Sequence, residues 1–276
     1  MEELGAEPSG DGAYLAPGAT ARKIAEYLGF ATAPIVVCNA CISAVTAQIL
    51  ADRLIGAGKY DFAVVCGADK ASTFTLAGFL SFKSLSSVPC RPFDIDRLGL
   101  NIGEAAATII FSKADGKGWT LAAGSLDNDA HHISAPSPDG DGVRRVVETV
   151  LEGFDAAALG CISAHGTATM FNDQMESKAI EAAGLSSVPV SALKGFYGHT
   201  LGAAGALETI LTMRALDEGW IIPVRGFEEI GVSGKMAICK DWTRTDKTSF
   251  LKIISGFGGC NGAAPDDKVG CRRSRE

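Results

Sequence analysis

Cys41, His165, His199 and Lys194 are the residues whose types and surroundings could do chemistry in this chain. Cys41 precedes a run of apolar residues at helical spacing, Ile42, Val45, Ile49, Leu50 and Leu54. A cysteine at a helix N-terminus meets unpaired backbone N–H groups and the positive end of the helix dipole. Both favour the thiolate, so the position predicts a nucleophile with a lowered pKa. The competing reading is a buried structural cysteine, the commoner fate of the residue type. Cys38 and Cys41 also form a C-x-x-C pair, which admits redox chemistry or half of a zinc site. Cys90, Cys161, Cys239 and Cys260 are each solitary, so no second ligand pair completes zinc.

Two of the four histidines sit where a strand gives way to a turn. His165 ends the run Ile162-Ser163-Ala164 and opens Gly166-Thr167-Ala168-Thr169. His199 closes Lys194-Gly195-Phe196-Tyr197-Gly198, ahead of another apolar helix. In open α/β sheets, ligands bind at the carboxyl ends of strands. Either histidine alone reads as structural; together with Cys41 they suggest one Cys-His-His site. Lys194 is either a solvated surface lysine or the partner of a carboxylate, with Glu176 and Glu208 as candidates. Gly256-Phe257-Gly258-Gly259 is an ordinary tight turn or an oxyanion hole made of backbone N–H groups. His131 and His132 lie in a polar loop and receive no role. No G-x-G-x-x-G or P-loop motif supports nucleotide binding.

The elements that must hold these residues follow from periodicity. Residues 1–18 read as loop, and Thr20–Gly29 as a short helix closed by glycine. Ile35–Val37 and Phe62–Cys66 read as buried strands flanking the helix over 42–57. That order predicts a parallel sheet covered by helices. Further strands are expected at Ala105–Phe111, Thr120–Ala122, Cys161–Ala164, Val188–Ala192, around Ile221 and Ile222, and at Phe250–Ile254. Val143, Val146, Val147, Val150, Leu151 and Phe154 form the cleanest amphipathic stripe. Asp173–Ala183 and residues 200–217 complete the helices. Cys41 and His199 each stand between a strand and the following helix, a weak internal duplication that predicts two similar halves around one site.

Composition limits the functions that such a site can serve. The chain has 276 residues, 47% of them apolar, with 33 glycines and a formal net charge of −7. It is long enough for a large core and too acidic for nucleic-acid binding through a basic surface. It has no run of 18 apolar residues to span a membrane. The first 20 residues carry four acids and no base, unlike a secretory signal. With no such signal, the eight cysteines read as reduced thiols in the cytoplasm.

The motifs, in order, resemble those of the β-ketoacyl-acyl carrier protein synthases, condensing enzymes of the thiolase superfamily. They are Asn39-Ala40-Cys41; Arg91-Pro92-Phe93-Asp94 with Gly103-Glu104; His165-Gly166-Thr167 with Thr169, Asn172, Asp173 and Glu176; Lys194 with Gly198-His199-Thr200-Leu201-Gly202-Ala203-Ala204-Gly205 and Glu208; and Gly256-Phe257-Gly258-Gly259 with Asn261. The two histidines place the chain nearer the elongating group than the His-Asn initiating group. A degradative thiolase would want a second cysteine near the C-terminal turn. Cys260 is close to it, but the paired histidines argue otherwise.

The resemblance implies a layered αβαβα fold, split into residues 1–115 with the nucleophile and 116–276 with both histidines. It implies that Cys41 carries an acyl group and that the Cys41 and Phe257 N–H groups form the oxyanion hole, beside a Phe257-Gly258 gate. His165 and His199 would bind a malonyl thioester and stabilise its enolate. Lys194 would act through Glu176 or Glu208, with Thr167 and Thr169 supporting. No cofactor and no metal are implied. The partners implied are an acidic acyl carrier protein, for which Arg22, Lys23, Lys83 and Arg91 are candidate docking residues, and a second copy or another ketosynthase-like chain pairing near Phe62–Cys66. Only 40 residues precede Cys41, so the first half is expected to be incomplete. That shortfall also raises the alternative of a non-catalytic partner subunit. After Asn261, Pro265-Asp266-Asp267 does not suit the central strand the family continues with, and a basic tail follows.

Overall fold

A computed structural model describes residues 16–269. In chain order the helices and strands are α1 (Pro17–Tyr27), α2 (Ser43–Gly56), β1 (Phe62–Asp69), α3 (Thr73–Ser81), β2 (Ala105–Ser112), β3 (Gly118–Leu121) and β4 (Ser125–Asn128). Then follow α4 (Asp141–Leu151), β5 (Leu159–Ser163), α5 (Met170–Ala182), β6 (Pro189–Ser191), α6 (Lys194–Tyr197) and α7 (Ala204–Asp217). The chain closes with β7 (Trp220–Ile221), β8 (Ala237–Ile238), β9 (Thr243–Arg244), β10 (Ser249–Gly256) and β11 (Cys260–Val269).

Four layers stack. β1 and β2 form an antiparallel pair, with Phe62 opposite Ser112 and Asp69 opposite Ala105. α2 lies against β1, α7 lies against β2, and the two helices pack on each other. They approach closely because small residues meet there. A Cβ on Gly205 would stand 2.7 Å from Val45 Cγ2 and 2.9 Å from the Val45 nitrogen, so only glycine fits. Below the helices runs the large sheet, in the order β3-β11-β10-β5-β6-β8, with β4 also on β11. Its outer face is covered by α4 and α5. Val143, Val146, Val147 and Val150 of the predicted stripe enter the main core with Met175, Ala179, Ile180, Leu251 and Ile253.

Most predicted elements are present within a few residues, but several expectations fail. The large sheet is mixed rather than parallel: β10-β5, β5-β6 and β6-β8 run parallel, whereas β11 is antiparallel to β10, β3 and β4. Ile35–Val37 is not a strand, and Ile35 and Val36 are exposed. Its apolar run has no described partner strand to pair with. The strand expected at Ile221–Ile222 is the short β7, paired with β9 outside the large sheet. α3 has no counterpart among the predicted helices, and α1 starts at Pro17, inside the segment that reads as loop. Residues 1–15 of that loop and the basic tail lie outside the described residues.

The sharpest departure is β11, an interior strand that contains Pro265 followed by two acids. The register explains the tolerance. β11 pairs with β4 through Cys260–Ala263 and with β3 from Asp266 onward. Pro265 faces the gap between those two strands, where its carbonyl accepts from Ala122 N–H at 2.9 Å. No ladder bond is lost where a proline could not donate one. Asp266 is buried, and its Oδ2 has no hydrogen-bond partner.

Candidate active site

The turn Asn39–Ser43 presents Cys41. Ala40 adopts a left-handed φ of 44°. Ser43 Oγ accepts from Asn39 N–H at 2.8 Å and donates to the Ala40 carbonyl at 2.6 Å. The sulfur is thereby aimed into the molecule rather than along the surface. Ile42 is the N-cap of α2, so Cys41 stands just before the helix instead of capping it. Burial pushes its thiol up to about 11, against the opposing pull of Lys194 and of the Phe257 N–H. The expectation of a lowered pKa therefore fails: removal from water outweighs what the dipole and the nearby donors supply.

His199 Nε2 lies 3.1 Å from Cys41 Sγ. The other ring nitrogen, Nδ1, accepts from Leu201 N–H at 3.2 Å, which puts the proton of a neutral ring on Nε2. The loop is held from behind, His199 N–H donating to the Asn101 carbonyl at 2.7 Å and its own carbonyl accepting from Gly103 N–H at 2.9 Å. A Cβ on Gly103 would fall 2.2 Å from the Tyr197 oxygen, which accounts for the glycine before Glu104.

The His165 ring packs edge-on to that of His199, with centroids 5.1 Å apart. Lys194 Nζ, which can only donate, lies 3.3 Å from His165 Nδ1, so this ring too carries its proton on Nε2. Burial first, then the positive charge of Lys194, holds both imidazoles well below the ordinary value. The site thus offers two neutral rings with their N–H bonds available beside one thiol. The three reactive atoms lie within 4.8 Å of one another, near enough to surround a metal ion. A metal-ligating histidine, however, normally donates from its second nitrogen to an oxygen; here both second nitrogens accept from N–H donors.

Lys194 is buried, not solvated. Its ammonium lies 2.6 Å from Glu208 Oε1 and donates to the His165 carbonyl at 2.6 Å. Of the two candidate carboxylates, Glu208 is its partner. Glu176 does different work, accepting from His165 N–H at 2.6 Å and Gly166 N–H at 2.9 Å, with burial raising it to about 7. Thr167 and Thr169 share a hydroxyl–hydroxyl bond of 2.8 Å, and Thr167 N–H donates to Asp173. Asp173 also accepts from Phe93 N–H at 2.6 Å, and Asp94 accepts from Glu228 and Glu229 N–H. The Arg91–Asp94 motif therefore braces the site from outside.

Phe257 is stacked on Phe79 and edge-on to Phe82, each at 5.3 Å, and its N–H points towards the Cys41 sulfur. Gly258 N–H is tied to the Ile133 carbonyl at 2.8 Å. Cys38 is exposed, whereas Cys41 faces His199; both thiols are free. His132 Nδ1 closes a local turn with Ser134 and Ala135 N–H. Sequence reasoning missed Lys252, wholly buried on β10 with its ammonium 2.6 Å from Glu208 Oε2. A lysine between Leu251 and Ile253 carries no mark of burial in the sequence.

This constellation has known kin. The family models for the β-ketoacyl synthase N-terminal and C-terminal domains match residues 6–115 and 120–228. The chain belongs to the β-ketoacyl synthase family. It is 33% identical over 246 residues to 3-oxoacyl-[acyl-carrier-protein] synthase 2 of Rhizobium meliloti, a match covering 82% of this chain and 58% of that protein. The enzyme of the same description from Vibrio cholerae is 32% identical over 254 residues, covering 83% and 61%. The chain thus spans about three fifths of these curated relatives. Among solved structures, a ketosynthase in complex with its chain length factor from Xenorhabdus doucetiae superposes with a TM-score of 0.85 at 33% identity, over 92% of this chain and 65% of that one. A β-ketoacyl synthase from Burkholderia phymatum gives 0.86 at 26% identity, over 92% and 66%. The fold is the thiolase-like fold of the ketosynthases.

Proposed function

We propose that the chain carries a 3-oxoacyl-[acyl carrier protein] synthase site that joins a malonyl thioester to an acyl group held on Cys41. The observation that carries this reading is the 3.1 Å contact of His199 Nε2 with Cys41 Sγ, beside a second ring protonated on the same nitrogen. Acyl transfer breaks the carrier thioester and forms the Cys41 thioester; the Cys41 proton leaves with the departing thiol. Malonyl thioester then loses carbon dioxide. Its enolate oxygen is met by the Nε2–H groups of His165 and His199, which donate without needing a protonated ring. The carbanion attacks the carbonyl carbon of the acyl group on Cys41 Sγ, and the Cys41 and Phe257 N–H groups take the oxyanion. Collapse breaks the C–S bond, releasing the 3-oxoacyl product and a Cys41 thiolate that takes a proton from solvent.

The substrate carriers are acyl- and malonyl-loaded acyl carrier protein in a cytoplasmic setting. The pathway is fatty acid or polyketide assembly. A second ketosynthase-like chain is proposed to pair along the free edge of β1, which carries exposed Phe62 and bonds only β2 among the described strands. Incubation with acyl-carrier protein followed by peptide mass spectrometry tests the central step. An acyl adduct on Cys41, absent from Cys41→Ala, is expected. Acylation at another residue, or none, would overturn the reading.

A further inference from the structure

Glu208 receives two ammonium groups, and only one belongs to the machinery described so far. Lys194 approaches Oε1 and Lys252 approaches Oε2, each at 2.6 Å, with all three side chains fully buried. Lys252 also donates to the carbonyls of Ser163 at 3.0 Å, Ala164 at 3.3 Å and Ile253 at 3.0 Å. Lys194 donates to the next carbonyl along, that of His165. Two lysines thus bind three consecutive carbonyls where β5 runs into the His165 turn.

A buried ammonium is costly, and one carboxylate fully compensates only one of them. An apolar residue at 252 would suit the strand better, since every other residue from Ser249 to Ser255 is buried too. We propose that Lys252 is a positioning residue for His165: it shares Glu208 with Lys194, fixes the two carbonyls ahead of the ring, and leaves an uncompensated positive charge behind it. This rests on the condensing-site reading. The charge acts against a second proton on the imidazole and so preserves its role as an Nε2–H donor.

The surrounding groups bear on that balance. α7 contributes Glu208, which burial alone would raise but the two ammoniums hold below its ordinary value. α6 contributes Lys194. α5 contributes Glu176, raised by burial to about 7, and Asp173, raised by burial and bonded to Phe93, Thr167 and Ala168 N–H with Arg97 beside it. His199 and Cys41 face the ring across the cleft. Below about pH 7 Glu176 is largely protonated, and Glu208 is the carboxylate paired with both lysines. Without Lys252 that excess disappears, and the His165 ring protonates more readily.

Labelled-histidine NMR of the substrate-free protein, with Lys252→Met and Lys252→Arg, tests this. In the unsubstituted chain His165 is expected to stay neutral, with its proton on Nε2, across roughly pH 5 to 8. An unsubstituted His165 that titrates near its ordinary value, or carries its proton on Nδ1, would overturn the proposal whether or not a variant folds. Lys252→Met is expected to raise the His165 midpoint measurably, with burial and Lys194 still holding it below the ordinary value, and Lys252→Arg to reverse the rise. A folded Lys252→Met with unchanged titration would count equally against it. Condensation assays on the same samples should show the acid limb of kcat moving with the NMR midpoint and KM unchanged. If the NMR result holds and no condensation occurs, the condensing reading fails while the role of Lys252 in His165 stands.

Discussion

His199 Nε2 and Cys41 Sγ are 3.1 Å apart although 158 positions separate the residues in the chain. The contact exists because α2 and α7 lie side by side in the middle layer, with both reactive residues just ahead of their N-terminal ends. Leu201 N–H fixes the tautomer, so the ring gives a hydrogen bond to sulfur instead of taking its proton. Sulfur and imidazole therefore meet as acceptor and donor, which suits a thiolate leaving group and a thioester carbonyl in turn.

The first consequence concerns resting reactivity. A thiol pushed up to about 11 is protonated at neutral pH. Its alkylation by iodoacetamide should therefore be slow near pH 7 and rise about tenfold per unit towards pH 10. His199→Ala removes the donor that stabilises the thiolate. It should slow alkylation further and lower condensation by about 10²-fold or more. The pH–rate profile of alkylation checks this; a plateau below about pH 8 would reveal a standing thiolate and contradict the burial argument.

Helix contact should control the same geometry. Gly205→Ala forces a Cβ to within 2.7 Å of Val45 Cγ2. Overpacking of this kind costs about 1–3 kcal/mol, and it separates the ends that carry Cys41 and His199. Thermal melts should show the loss, with condensation falling in samples that remain folded. Gly56→Ala is the contrast: nothing lies within 4 Å of its added Cβ. It should be neutral or stabilise by up to about 1 kcal/mol.

The reactive residues were legible because their positions are local: a cysteine ahead of an amphipathic helix, histidines where apolar strands run into glycine turns. Their environment was not. The pKa of Cys41 depends on burial by residues far along the chain, and burial reversed the sign expected from the helix. Lys252 was invisible because a lysine in an apolar strand more often keeps its ammonium in water. Pro265 and Asp266 misled for a related reason. A proline argues against a central strand only where its neighbour needs a donor, and the break between β3 and β4 removes that need. α3 lacks a clear polar face, with Phe74, Leu76 and Leu80 exposed, so no amphipathic period announced it.

Asp266 should behave as a latent weakness of the fold. It is fully buried, and burial alone raises it well above 3.8. The native state therefore holds this proton more tightly than the unfolded chain does. Stability from this group is present below about pH 4 and is lost as pH rises towards the native value. Val would pack opposite Phe250 and Leu121, which face Asp266 across the two ladders. Asp266→Val should therefore add about 1–3 kcal/mol at about pH 7. Chemical denaturation near pH 4 and near pH 7 checks both the gain and its pH dependence. A variant no more stable than its parent at neutral pH would mean the carboxyl finds a partner.

Docking of the carrier protein should depend on charge at the mouth of the site. Lys83 is exposed and directly follows Phe82, whose ring meets Phe257 at 5.3 Å. Arg22 and Lys23 lie together on exposed turns of α1, and Arg91 is half-buried beside Gly226. An acidic carrier protein gains on-rate and orientation from such groups, with a strong salt dependence. Lys83→Glu should raise the KM for malonyl-carrier protein about 3- to 10-fold, an effect shrinking at high salt, and leave turnover of free coenzyme A thioesters unchanged. Equal effects on both substrates would place Lys83 in the acyl site itself and remove it from the docking surface, because a group that only steers the carrier cannot alter the reaction of a substrate without one.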